Sequence, residues 1–95
     1  MKYPKEYKTD IDKAVSILKT AGCSEIYLFG SLASGESRPD SDIDLAVKGI
    51  KKGDFFRIMG KLISSLNCTI DLVDMDKNKA FVKHIFHSGN ILRLA

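Results

Sequence analysis

Gly30-Ser31 and, after ten intervening residues, Asp42-Ile43-Asp44-Leu45-Ala46-Val47 decide how this chain folds. Side chains alternate across a strand, so one face of the second stretch carries Asp42, Asp44 and Ala46 while the other carries Ile43, Leu45 and Val47. The second set is an apolar core face. The first puts two carboxylates on one side, roughly 7 Å apart by the rise per residue. Like charges held that close repel unless a cation lies between them, and a divalent metal is the economical solution. Ahead of the acids, Gly30 ends an apolar run and Ser31 opens a tight turn whose backbone N–H groups can face an anion. A glycine there allows close approach to a phosphate, and the hydroxyl adds a donor. Gly-Ser alone is an ordinary turn, and its meaning comes from the acids that follow. Asp42 also reads as the end of a solvated loop. Asp44, flanked by Ile43 and Leu45, resists that reading, because Asp is depleted in strands and costly to bury unpaired.

The rest of the chain alternates helices with strands. Thr9 to Asp12 has the form of a capping box, with Asp12 where Glu or Gln is usual. Ile11, Ala14, Val15 and Leu18 then recur at helical spacing, and Gly22 suits the C-terminal cap. Ile26 to Phe29 reads as a buried strand, Ser31 to Gly35 as a brief helical turn, and the segment through Pro39 as a polar loop. Asp42 to Val47 is the second strand, and Gly49 to Gly53 a basic turn. Asp54 is a candidate N-cap for a helix marked by Phe55, Met59, Leu62 and Leu66. Thr69 to Val73 is a third strand. Phe81, Val82, Ile85 and Phe86 line one side of a final helix, mostly as core, and Ile91 to Leu94 adds a short last strand. Crossover-length helices between strands predict an α/β (α+β) architecture, a sheet covered by helices.

Composition narrows the class. At 95 residues the chain reads as one domain, residues 1–95. Its hydrophobic share of 44% and charged share of 28% are ordinary for a soluble globular protein. The net charge of +3 is mild and interleaved with acids, so it does not demand direct nucleic-acid binding. Cys23 and Cys68 lack metal-ligand spacing and read as reduced, partly buried thiols, and the charged N-terminus has no signal-peptide core. The expected location is cytoplasmic, with no membrane span.

The third strand supplies another acid. Asp71 is in the opposite phase to Ile70 and Leu72, and so joins the Asp42 and Asp44 set as a third site carboxylate. Asp74 and Asp76, out of phase with Asp71, read as solvated loop residues. Three acids on adjacent strands beside a phosphate turn suit Mg²⁺, a hard cation that takes carboxylate and phosphate oxygens together. Two such ions can stabilise the attacking and leaving oxygens of an in-line displacement. His84 and His87 have a spacing that could chelate a transition metal, but without an evident third ligand they read as surface or partner-facing.

The combination of Gly30-Ser31, ten residues, Asp42-Ile43-Asp44, then Asp71 resembles the polymerase-beta-type nucleotidyltransferase superfamily. From Ile11 to Leu94 the chain resembles its minimal nucleotidyltransferase (MNT) branch. The resemblance implies a polymerase-beta-like fold with a small mixed β-sheet. It also implies that Gly30 and Ser31 bind the triphosphate, and that Asp42 and Asp44 hold the metals. Asp71 would complete the second metal site and help activate the attacking hydroxyl. Members of the superfamily transfer a nucleoside monophosphate to a hydroxyl and release pyrophosphate. Many carry an arginine a few residues after the serine. Here the segment reads Leu32-Ala33-Ser34-Gly35, with Ser34 in that place, and Arg38, Lys48, Lys51 or Lys52 are the candidates to compensate.

A single domain over residues 1–95 is expected to lack an acceptor-binding domain of its own. MNT proteins often resemble the antitoxin half of a pair whose other half is a helical HEPN-domain toxin, and transfer AMP from ATP to a tyrosine of that toxin. The leading expectation is therefore a Mg²⁺-dependent adenylyltransferase acting on a HEPN-domain partner, with ATP as substrate. A second is a non-catalytic antitoxin that works by complex formation. A third is a subunit that modifies a small molecule or nucleic acid. A domain this small also often completes its burial in a homo- or hetero-oligomer.

Overall fold

The computed structural model of the chain describes residues 5–35 and 41–95. A 3₁₀ turn at Lys5–Tyr7 runs into helix α1 (Lys8–Thr20), followed by strand β1 (Glu25–Phe29) and the one-turn helix α2 (Ser31–Ser34). Strand β2 (Ile43–Lys48), helix α3 (Phe55–Ser65), strand β3 (Ile70–Asp74), helix α4 (Lys79–Ser88) and strand β4 (Ile91–Arg93) complete the order. The sheet runs β3-β2-β1-β4. β1 pairs antiparallel with β2 and with β4, while β2 and β3 are parallel. A parallel pair needs a crossover, and α3 supplies it. The expected mixed sheet covered by helices is therefore present.

Strand alternation divides the core in two. Ile26 and Leu28 of β1, Ile43, Leu45 and Val47 of β2, and Ile70 and Leu72 of β3 share one face. Ile11, Ala14 and Leu18 of α1 and Ile58 and Leu62 of α3 pack on it, as helical spacing requires. On the second face Tyr27, Ala46 and Met75 pack with Ile85 of α4. This second cluster is small, and it leaves room beyond α4 for the acids.

Several expectations are corrected in detail. The helix start is Tyr7, which makes no side-chain cap, so the Thr9–Asp12 capping box is not formed. Asp12 instead accepts from Lys8 at 2.8 Å. Gly22 does end α1, taking φ +95° just after the C-cap Ala21. Asp54 is the N-cap residue of α3, as expected, but its side chain makes no cap hydrogen bond and its carboxylate pairs with Arg57 at 3.1 Å. Phe81 and Phe86 are 40% and 44% exposed rather than core, since α4 buries only Ile85 fully. Each ring still packs edge-on, Phe81 on Phe29 and Phe86 on Tyr27. The segment from Glu36 through Pro39, expected as a loop, lies outside the described residues, as does Arg38. Both cysteines are free, Cys23 buried and Cys68 half-buried. Among the described residues no helix is long and apolar enough to cross a membrane.

Asp74 is the largest correction. It is buried, 5% exposed, not solvated. Being out of phase with Asp71 puts it in phase with Ile70 and Leu72, on the core side of the strand. Its carboxylate accepts the Asp76 N–H at 3.0 Å, and its carbonyl accepts from Asn78 Nδ2 at 2.9 Å. Asp76 is also engaged, accepting the Gly49 N–H at 3.2 Å.

Candidate active site

Of the three predicted acids, Asp44 and Asp71 are ladder neighbours. In the parallel β2–β3 ladder Asp44 lies directly beside Asp71, at the lateral spacing of adjacent strands, about 4.8 Å. Both face the second side of the sheet, where Ala46 and Val73 continue their rows under α4. Asp42 is exposed and precedes β2, so the ladder begins one residue later than expected. It remains close enough to act on Asp44. The Asp44 carboxyl is pushed up to about 6, first by its burial, then by the negative charge of Asp71, then by that of Asp42.

Gly30 sits against the same group. Across the β1–β2 ladder Phe29 pairs with Asp44, and the chain then turns at Gly30 with φ +75° and ψ −152°. A Cβ on Gly30 would collide with the Asp44 Oδ2. The open space of this glycine is thus taken by a site carboxylate, where the sequence suggested a phosphate. Ser31 follows as the first residue of α2, and Ser34 Oγ donates to its carbonyl at 3.1 Å.

Gly30, which packs against Asp44, also lines a cleft of about 380 Å³ whose lining includes none of the three acids. Gly30, Ser31 and Ser34 form one wall, and His84, Ser88 and Asn90 the other. Phe81 lies between this cleft and a larger apolar cavity of about 570 Å³ bounded by Phe55, Phe56 and Val73. That cavity contains Asp74, whose carboxylate accepts the Asp76 N–H.

Two site neighbours were not read as such from the sequence. His84 and His87 are exposed, but His84 lines the cleft opposite Ser31. Helical phase relative to Ile85 was the available signal. Tyr7, 3% exposed, donates to the Ser41 carbonyl at 3.2 Å and so ties down the backbone just before Asp42. No local pattern announces a contact across 34 residues.

Carboxylates are the donors a hard divalent cation takes, and Asp44, whose charge is disfavoured first by burial and then by Asp71 and Asp42, would gain from one. Among the described residues no group of three or more His, Cys, Asp or Glu side chains is arranged to hold a metal ion. Mg²⁺ characteristically keeps water and substrate phosphate oxygens among its ligands, so a full protein cage is not required.

A small mixed sheet with paired strand acids beside a Gly-Ser turn defines a nucleotidyltransferase class of site. Residues 12–93 match the family model for Polymerase beta, Nucleotidyltransferase, and the chain belongs to that family. No curated protein matches it in sequence. Among solved structures it is similar to a toxin–antitoxin crystal structure with AMP-PNP, at 27% identity and a TM-score of 0.73, over 88% of this chain and 71% of that one. A structure provisionally assigned as a minimal nucleotidyltransferase aligns at 25% identity and a TM-score of 0.69, over 87% and 89% of the two chains. A tri-AMPylated Shewanella oneidensis HEPN toxin in complex with MNT antitoxin shares the fold, at 24% identity and a TM-score of 0.69, over 93% and 71%.

Proposed function

We propose that this chain is a Mg²⁺-dependent adenylyltransferase that transfers AMP from ATP to a hydroxyl of a helical HEPN-domain partner, as the antitoxin of a toxin–antitoxin pair. The observation that carries the reading is the lateral pairing of Asp44 with Asp71, with Asp42 near enough to raise the Asp44 pKa and Gly30 of the Gly-Ser turn packed against Asp44. The AMP-PNP in a toxin–antitoxin relative supports a nucleotide in such a cleft, and the AMPylated toxin beside an MNT antitoxin supports the acceptor.

Asp42 and Asp44 would hold the metal, with Asp71 completing a second position. When bound, Mg²⁺ would offset phosphate charge and stabilise the attacking and leaving oxygens. Ser31 would donate its hydroxyl to the triphosphate. The acceptor oxygen attacks the α-phosphorus, a P–O bond forms there, and the bond to pyrophosphate breaks in line. Asp71, exposed at the strand edge, would take the proton of the attacking hydroxyl. In this reading the partner positions its own hydroxyl.

Ser34 favours a second reading, since a hydroxyl stands where the family resemblance leads one to expect a cation. In that reading the chain neutralises its partner by occlusion alone. Intact masses separate the two after the chain is incubated with Mg²⁺-ATP and the protein encoded next to it. One added AMP or more on the partner, lost with Asp42→Asn, is the expected result. A tight complex with unchanged masses, from a chain that binds Mg²⁺-ATP, would establish occlusion instead.

A further inference from the structure

A polyphosphate site needs positive charge, and the wall of the Gly30–Ser31 cleft contains neither lysine nor arginine among the described residues. The Ser34 hydroxyl is turned back on the Ser31 carbonyl. Lys48 ends β2, opposite Glu25 in the ladder and 3.8 Å from its carboxylate, far along the strand from Asp44. Lys51 borders a separate cleft with Thr20, Asp54 and Arg57, on the side where α1 meets α3, and Lys52 is exposed in the same turn. Three of the four cations that the sequence offered as substitutes therefore stand away from this cleft.

His84 stands in it. It precedes Ile85, the buried residue by which α4 packs on the second face of the sheet, so its backbone is anchored rather than carried on a loop. Ser88, one helical turn further on, is committed to the backbone. Its Oγ donates to the Ile85 carbonyl at 2.7 Å and accepts the Asn90 N–H at 3.3 Å. His84 is thus the residue of the cleft wall able to carry positive charge, among those described. An imidazole always carries at least one N–H that can donate to a phosphate oxygen.

We propose that His84 binds the phosphate chain of the nucleotide in this cleft and takes the place of the absent arginine. The inference rests on the nucleotidyltransferase reading above. It assigns a binding role on α4, an element outside the Gly-Ser and Asp-x-Asp motifs.

The test is calorimetric titration of the full chain with AMP-PNP and with AMP, each with Mg²⁺. Loss of one charge-assisted hydrogen bond in His84→Ala should weaken AMP-PNP binding about tenfold or more, with AMP affected less. His84→Arg should restore AMP-PNP affinity, and His87→Ala, with an unchanged melting temperature, should leave it alone. Wild-type AMP-PNP affinity in His84→Ala would overturn the inference while leaving the nucleotidyltransferase reading intact. So would an equal loss for AMP and AMP-PNP, which marks a contact other than the extended phosphate chain. A wild-type chain that binds neither nucleotide would remove the underlying reading, and the role of His84 with it.

Discussion

Asp44 is held in a form that opposes its proposed use. Its carboxyl titrates near 6 rather than 3.8 because burial, then Asp71, then Asp42, disfavour its charge. Folding therefore favours the protonated acid. That contribution is full below the unfolded value, about pH 4, and is lost as the pH rises through about 6. Without divalent cations, Asp44→Asn should stabilise the protein near neutral pH by about 1–2 kcal/mol, a full conversion of the shift being reduced for solvent screening. The gain should shrink as the pH falls toward about 4. Denaturant titrations of both proteins across that window check it, and a gap independent of pH would exclude charge as its cause. Gly30 is bound to the same group. An alanine there meets both the positive φ and the Asp44 Oδ2, so Gly30→Ala should cost about 1–3 kcal/mol. A melting temperature equal to that of wild type would mean that Asp44 moves aside freely.

Between elements, the decisive polar contact is one that no local pattern predicts. Asp10, 3% exposed on the first turn of α1, accepts the N–H groups of Asn67 and Cys68 at 3.0 and 2.9 Å. It ties the start of α1 to the turn between α3 and β3. Burial alone would raise its pKa, but the Cys68 thiol, these two N–H groups and the charge of Lys13 together hold it below the usual value. Asp10→Ala leaves two backbone donors without their acceptor and should destabilise the fold by about 1–3 kcal/mol, measurable by urea titration. A change within a few tenths of a kcal/mol would show that water replaces the carboxylate. The contrast with Asp44 and Asp71 explains what was legible. Strand alternation is local, so their common face could be read from Ile43, Leu45, Ile70 and Leu72. The same rule places Asp74 inward, and treating it as a strand-end residue hid that. Asp10 depends on a contact 57 residues away, and Tyr7 on one 34 away, neither encoded in local spacing. Phe81 and Phe86 show the opposite limit. Helical periodicity identifies an apolar side but not how wide a surface the sheet offers to cover it.

Across the whole molecule, the two faces of the sheet carry different loads. One bears the main core with α1 and α3, and the other divides its area between α4 and the acids. A chain of 95 residues has little stability to spare, and here part of one sheet face is given to groups that repel. Ligand binding should therefore register strongly in global stability. Occupancy at about 100 times Kd adds about 2.7 kcal/mol, and each kcal/mol moves the melting temperature of a domain this size by about 4–8 °C. Mg²⁺ with AMP-PNP should thus raise it by roughly ten degrees or more, through a site that needs both carboxylate charge and phosphate oxygens. Either ligand alone should do much less, because Mg²⁺ lacks the phosphate oxygens and the nucleotide meets three unneutralised acids. In Asp44→Asn the unliganded protein should start higher and gain little from the pair. Differential scanning calorimetry with each ligand singly and together measures this coupling. Additive shifts from Mg²⁺ and AMP-PNP, or an undiminished joint shift in Asp44→Asn, would place the nucleotide somewhere other than beside the three acids.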